Sequence, residues 1–111
     1  MVIVNNDSGR AVGQIGLWIS RLAKGRAEIG YWVAESARGR GLAGAALRLV
    51  SDWAFAELPV ARLSLFIEEW NEASIRTATA AGFQREALLR NWELIGGEPR
   101  DMWSFVRLRE S

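Results

Sequence analysis

Apolar and polar residues recur along the chain with periods that predict six strands and two helices. Short runs of β-branched and aromatic residues, bounded by turn formers, predict the strands. These are Val2–Val4, Ala11–Ser20, Ala27–Ala34, Ala61–Glu68, Arg85–Ile95 and Asp101–Leu108. A period of 3.6 predicts a long helix over Leu42–Leu58, and Asn71 predicts the N-cap of a shorter helix that Gly82 ends.

The long helix follows one predicted strand and precedes another. Its apolar residues recur at i, i+4, i+7 and i+11, and predict a core-facing stripe of Leu42, Ala46, Leu49 and Trp53, with Val50 beside it. A second face carries Arg48, Ser51 and Asp52. The order strand, helix, strand predicts a βαβ unit with parallel strands, and therefore an α/β (α+β) fold with a mixed sheet.

Length and composition limit the possible functions. The 111 residues predict a single domain, and 14 basic against 13 acidic residues argue against a nucleic-acid surface built on bulk charge. The absence of cysteine and histidine removes thiol nucleophiles, the usual zinc ligands and Ser-His pairs, so no metal is expected. The N-terminus has no apolar run long enough for a signal or a membrane span, which predicts a cytoplasmic protein without a membrane partner.

The loop before the long helix concentrates flexible and positive residues. Gly39, Gly41 and Gly44 would let the backbone approach an anion closely, and Arg38 and Arg40 would add full charges to the helix N-terminus. This combination predicts a phosphate site. The loop lacks the GK[ST] ending of a nucleotide P-loop, but Gly39–Gly44 satisfies GxGxxG, so a dinucleotide site stays open on that weak match.

A family resemblance rests on the same loop. Arg38-x-x-Gly41-x-Ala43 matches the [QR]xxGx[GA] acyl-CoA signature of the GNAT N-acetyltransferases. The segments EIGYWVAESARGRGLAGAAL and NEASIRTATAAGF resemble the branch that includes the ribosomal-protein N-terminal (alanine) acetyltransferases, and the similarity covers nearly the whole chain. It implies a twisted mixed sheet, acetyl-CoA as cosubstrate, and direct attack of an amine on the thioester without a covalent enzyme intermediate.

The resemblance also implies roles for individual residues. The pyrophosphate loop would comprise Arg38, Gly39, Arg40, Gly41, Leu42, Ala43 and Gly44, and the pantetheine arm and acetyl group would lie along Tyr31, Trp32 and Val33. Asn71 would approach the pantetheine, Ser74 the thiol end of the cofactor, and Glu28 would help to accept the amine proton.

Simpler structural roles stay open for several of these residues. Asn71 is also a helix cap, and Ser74 is also a plain first-turn polar residue. Glu28 is also a solvated strand residue, and Tyr31 and Trp32 are also core or edge aromatics.

The chain departs from the family pattern at its N-terminus. Family members carry a strand and two helices before the hairpin at which this chain starts, so we expect an N-terminally shortened domain with much of the acceptor wall missing. Three explanations stay open: a short gene product, a fragment with an incorrect start, and a partner chain that fills the gap. The leading hypothesis is an acetyl-CoA-dependent N-acetyltransferase for a protein N-terminus or a small amine. The alternative is a non-catalytic acyl-CoA-binding remnant or interaction module. An uncovered sheet face and edge also predict a homodimer.

Overall fold

The computed structural model describes residues 2–4, 11–33 and 41–110. Six strands and two helices follow in chain order: β1 Val2–Val4, β2 Ala11–Trp18, β3 Arg26–Val33, α1 Leu42–Glu57, β4 Arg62–Glu68, α2 Glu72–Ala80, β5 Gln84–Ile95 and β6 Glu98–Leu108. A 3-10 turn over Leu22–Lys24 joins β2 to β3. The predicted number and type of elements are confirmed.

The six strands form one mixed sheet in the order β1-β2-β3-β4-β6-β5. β3 and β4 are parallel and are connected through α1, which confirms the predicted βαβ unit. The other neighbouring pairs are antiparallel. The expected α/β fold with a central crossover is therefore present.

Element boundaries differ from the predicted ones by at most three residues, and the largest difference is at the last hairpin. Gly96 and Gly97 make the whole turn, with φ of 61° and 84°. Such a two-residue turn requires positive φ at both positions, which glycine adopts without strain. Strand pairing therefore resumes at Glu98, directly opposite Ile95, rather than at Asp101.

Both helices pack on one face of the sheet. In β4 every second residue points into this core, so that Leu63, Leu65 and Ile67 are buried. Residues of β2, β3, both helices and β6 complete the same hydrophobic cluster. In the part of the chain that the structure describes, no helix covers the opposite face of the sheet, which we call the open face.

The predicted core stripe of α1 is partly wrong. Leu49 is 61% exposed and Trp53 is 52% exposed, whereas Ser51, assigned to the polar face, is fully buried. Ser51 tolerates burial because its hydroxyl donates a 2.6 Å hydrogen bond to the carbonyl of Leu47 one turn earlier. Leu47, Ser51 and Ala54 form the buried face of α1, since their spacing of four and three residues places them on one side of the helix.

Candidate active site

The parallel strands β3 and β4 separate part of the way along their length. They pair only from Arg26 opposite Arg62 to Glu28 opposite Ser64, although β3 continues to Val33 and β4 to Glu68. We call the point after Glu28 and Ser64 the fork. Beyond the fork, β3 and β4 form no backbone hydrogen bonds with each other. Unpaired strand edges are able to pair with an extended ligand.

A cavity of about 490 Å³ lies at this separation. Four of the residues singled out in the sequence line it, namely Glu28, Tyr31, Asn71 and Ser74. Glu28 and Tyr31 come from β3, and Asn71 and Ser74 come from the start of α2; Tyr31 and Ser74 are 43 residues apart in sequence. The fold therefore brings these four predicted site residues to one place.

α2 begins at the cavity, and its first turn is capped as predicted. The Asn71 side-chain oxygen accepts a 3.2 Å hydrogen bond from the backbone N–H of Ser74. This satisfies one of the donors that a helix start leaves without a partner. The capping role of Asn71 is therefore confirmed, and the cap holds Ser74 against the cavity.

Tyr31 connects β3 to the start of α2. Its hydroxyl lies 3.5 Å from the carbonyl oxygen of Ser74, at the outer limit of a hydrogen bond. Burial raises the pKa of Tyr31 above its ordinary value, and hydrogen bonding to Ser74 and Thr77 opposes that rise in part. Tyr31 is therefore protonated at neutral pH and is available there as a hydrogen-bond donor.

α1 starts at a glycine with a left-handed backbone conformation. Gly41, its N-cap, has φ of 71°, a left-handed conformation that side chains other than glycine adopt only with strain. A Cβ at Gly41 would meet no atom of the described residues within 4 Å, so backbone conformation rather than packing requires glycine here. Among the described residues, no side chain caps this end, and no acidic residue lies in the first turn of α1. The first N–H groups of an α-helix have no partner within the helix and attract anions.

Some of the other predicted cofactor-binding residues lie in a part of the chain that the structure does not describe. Arg38, Gly39 and Arg40 lie outside the described residues. Trp32 and Val33 lie in the last part of β3, and Leu42, Ala43 and Gly44 form the first turn of α1.

Aromatic residues that were not singled out as site residues form one wall of the cavity. Trp18, Phe66 and Trp92 line it on the open face, and the rings of Phe66 and Trp92 lie 5.2 Å apart between centroids. The Trp18 indole covers two glycines, Gly16 and Gly30, which are directly paired across β2 and β3. Glycines inside strands signal the close approach of another group, and this was the sequence signal for the position of Trp18.

Two further carboxylates, those of Glu68 and Glu93, also line the cavity together with Glu28. Glu68 is the last residue of β4, and its carboxylate lies 3.9 Å from the guanidinium of Arg100. Neither residue was singled out, because strand-end glutamates carry no sequence pattern of their own. Within the described ranges, no group of three or more acidic, cysteine or histidine residues is arranged to hold a metal ion.

Helices long and apolar enough to cross a membrane are absent from the described residues.

Comparison with known proteins gives a consistent family. Residues 1–84 match the model of the acetyltransferase (GNAT) domain. The chain is 31% identical over 107 residues to the uncharacterized N-acetyltransferase p20 of Bacillus licheniformis, covering 96% of this chain but only 60% of that protein. A solved probable acetyltransferase is 31% identical, with a TM-score of 0.85 over 91% of this chain and 56% of its own.

A second solved structure resembles the fold at lower sequence identity. The ribosomal-protein-S5-alanine acetyltransferase of Vibrio fischeri is 22% identical, with a TM-score of 0.92 over 98% of this chain and 60% of its own. The chain therefore spans about three fifths of the length of these relatives. The family match over residues 1–84, together with the forked parallel strands and the glycine-started α1, shows that this chain belongs to the GNAT acetyltransferase domain family.

Proposed function

We propose that this protein transfers an acetyl group from acetyl-CoA to an amine. The observation that carries the proposal is the separation of β3 and β4 beside the N-terminus of α1, which starts at Gly41. The unpaired edge of β3 suits an extended arm with amide groups, and the first N–H groups of α1 suit a phosphate. A site for the pantetheine arm, at the edge of β3, and a site for the pyrophosphate, at the start of α1, therefore lie next to each other in one βαβ unit.

The chain's own residues fit this cosubstrate. Gly41 permits the left-handed turn that presents the amides of Leu42, Ala43 and Gly44, and Arg38 and Arg40 supply positive charge in the proposed role. Tyr31 and Asn71 line the cavity where the arm would end. When bound, acetyl-CoA supplies an activated thioester carbonyl, so the protein needs no nucleophile of its own.

Proton handling falls to groups on opposite sides of the cavity. An acceptor amine is mostly protonated at neutral pH and must lose a proton before it attacks. Glu28, an exposed carboxylate at the fork of the strands, accepts that proton through water in this proposal. Ser74 and Tyr31, at the start of α2, supply neutral hydroxyl groups near the thiol end, where a donor is needed.

Two measurements test the proposal. Release of the coenzyme A thiol in the presence of an amine reports transfer, and calorimetric titration with coenzyme A reports binding. Binding with thiol release supports the proposal, whereas binding without release on any amine supports the alternative of a non-catalytic acyl-CoA-binding module. The absence of coenzyme A binding overturns both, and a titration with NAD then tests the dinucleotide reading.

We also propose that the chain acts as a homodimer. Leu49 is 61% exposed and Trp53 is 52% exposed, and both line an apolar groove between α1 and β2. Apolar surface of this extent favours association. Light scattering at micromolar concentration tests this, and a stable monomer contradicts it.

The resemblance of EIGYW and its surroundings to the alanine acetyltransferase branch supports a protein N-terminus as one acceptor class.

A further inference from the structure

The cavity at the fork has a charge and a wall composition that restrict the acceptor, if the proposed acetyl transfer holds. Three carboxylates line it, those of Glu28, Glu68 and Glu93, and none of its lining residues is a lysine or an arginine. One cation lies close by, because Arg100 approaches Glu68 to 3.9 Å, but Arg100 itself does not line the cavity. Among the described residues, the charge that lines this cavity is therefore negative.

The aromatic wall, Trp18, Phe66 and Trp92, strengthens this restriction. The faces of aromatic rings attract cations, and tryptophan does so most strongly. Trp18 is held in the wall by the absence of side chains at Gly16 and Gly30, where a Cβ would lie 3.1 Å and 2.9 Å from its ring. The far end of the Trp18 indole therefore lies against the two glycines, and the rings of Phe66 and Trp92 contact each other.

Basic residues lie in a cavity that adjoins this wall, and one of them, Arg62, is paired. Arg62 makes two hydrogen bonds to the Glu86 carboxylate, one of them 2.9 Å long, and this pairing lowers the pKa of Glu86. Arg62 and Glu86 line an adjoining cavity together with Arg21 and Arg26, and this cavity shares Trp18, Glu28, Phe66 and Trp92 with the first. The three arginines do not line the first cavity, where the charged residues are Glu28, Glu68 and Glu93.

We propose that the preferred acceptor carries a second positive charge in addition to the amine that reacts. The second charge lies against the aromatic wall and the Glu68 and Glu93 carboxylates, while the reacting amine lies near Glu28 at the fork. The cavity volume of about 490 Å³ is in the range of sites for small molecules. A small diamine fits this description, and so does a peptide N-terminus followed by lysine.

A matched set of acceptors tests the charge requirement. Butylamine, 1,4-diaminobutane and 4-aminobutyrate share a four-carbon chain and end in a methyl group, an ammonium and a carboxylate. Rates of coenzyme A thiol release give kcat/KM for each, with the diamine value divided by two for its equivalent amines. We expect the order diamine, then butylamine, then aminobutyrate. A preference for aminobutyrate would overturn the proposal, and equal values would exclude a small diamine as the acceptor.

Two peptides distinguish the sources of the second charge. Ala-Lys amide and Ala-Glu amide present the same N-terminal amine with opposite neighbouring charges. Preference for the diamine alone identifies a small amine as the acceptor, and preference for Ala-Lys amide identifies a protein terminus. Absence of charge preference in both sets overturns the proposal.

Variants locate the preference in the cavity. Glu68→Gln is expected to lower the diamine-to-butylamine ratio of kcat/KM by about two- to fivefold, as for a partly exposed ion pair. Glu98→Gln is the matched control, because Glu98 also lies 3.9 Å from Arg100 but does not line the cavity. Its ratio should equal that of the wild type. An equal drop in both variants would show that Arg100, rather than the cavity charge, sets the ratio, and would overturn the assignment.

The failure of this proposal is distinguishable from the failure of the proposed function. If coenzyme A binds and acetyl transfer occurs without charge preference, only the acceptor class is wrong. If no amine is acetylated, thermal unfolding with 1,4-diaminobutane against butylamine still tests binding. A larger upward shift with the diamine, reduced in Glu68→Gln, supports the cation site, and equal shifts reject it.

Discussion

The position of Trp18 over two strand glycines makes Gly30→Ala an informative perturbation. A Cβ at Gly30 would lie 2.9 Å from Cζ3 and 3.1 Å from Cη2 of the indole. Carbon atoms in contact prefer about 3.5–4.0 Å, so the ring has to move by at least about 0.6 Å. The clash involves only the far end of a side chain that is 57% exposed, so the indole moves and the strand stays in place.

The cost follows from the area that the indole covers. A tryptophan that buries about two fifths of its surface removes roughly 100 Å² from water, which is about 2.5 kcal/mol at about 25 cal/mol per Å². A displaced ring loses part of this, and alanine recovers about 0.5–1 kcal/mol over glycine inside a strand. We expect Gly30→Ala to lower the free energy of unfolding by about 1 kcal/mol.

A double-mutant cycle measures the contact itself. In a Trp18→Ala background no described atom lies within 4 Å of the new Cβ, so Gly30→Ala should be neutral or stabilising. Urea unfolding of the wild type, both single variants and the double variant gives the coupling free energy, which we expect to be about 1–2 kcal/mol. Equal destabilisation by Gly30→Ala in both backgrounds would refute the idea that the glycine exists to accommodate the indole. Within the proposed function, Gly30→Ala should also weaken the diamine preference.

Three further predictions concern the proposed coenzyme and proton-handling residues. Gly41→Val should reduce coenzyme A affinity severely in calorimetric titrations, because φ of 71° costs valine about 1–2 kcal/mol and its side chain would obstruct the phosphate. Asparagine tolerates this φ, so Gly41→Asn should keep the fold. Arg38→Ala should reduce coenzyme A affinity less than Gly41→Val, and its effect should depend on salt concentration. Unchanged coenzyme A affinity in Gly41→Val would reject the site. Asn71→Ala should lose about 1 kcal/mol of stability in urea unfolding together with coenzyme A affinity, since the cap to Ser74 disappears. Ser74→Ala and Glu28→Gln should slow thiol release while coenzyme A affinity stays near wild type, and wild-type rates in both variants would remove them from the mechanism.

Local sequence signals were enough to predict the elements and their caps. Asn71 caps the start of α2 and Gly82, with φ of 93°, follows its C-cap, because both features depend on the backbone within one turn. The order of β3, α1 and β4 in turn implied parallel strands, since a crossover helix joins strands that run the same way. The family motif in the loop before α1 could be read for the same reason, as its residues are contiguous.

The orientation of α1 could not be derived from its own residues. α1 is apolar on several sides, so a period of 3.6 was compatible with more than one buried face. Packing against the sheet selected the side with Leu47, Ser51 and Ala54, and left Leu49 and Trp53 exposed. The burial of Ser51 depended on a hydrogen bond to its own helix, which its polarity alone does not reveal.

The acceptor side of the cavity depended on contacts between distant strands. β3 and β4 stop pairing after Glu28 and Ser64, and nothing in either strand's composition marks that point. Trp18 reaches the cavity only because β2 pairs with β3 so that Gly16 faces Gly30. Strand register is a relation between segments, so short-range sequence periods predict the strands themselves, while the cavity between them arises from how the whole sheet pairs and packs.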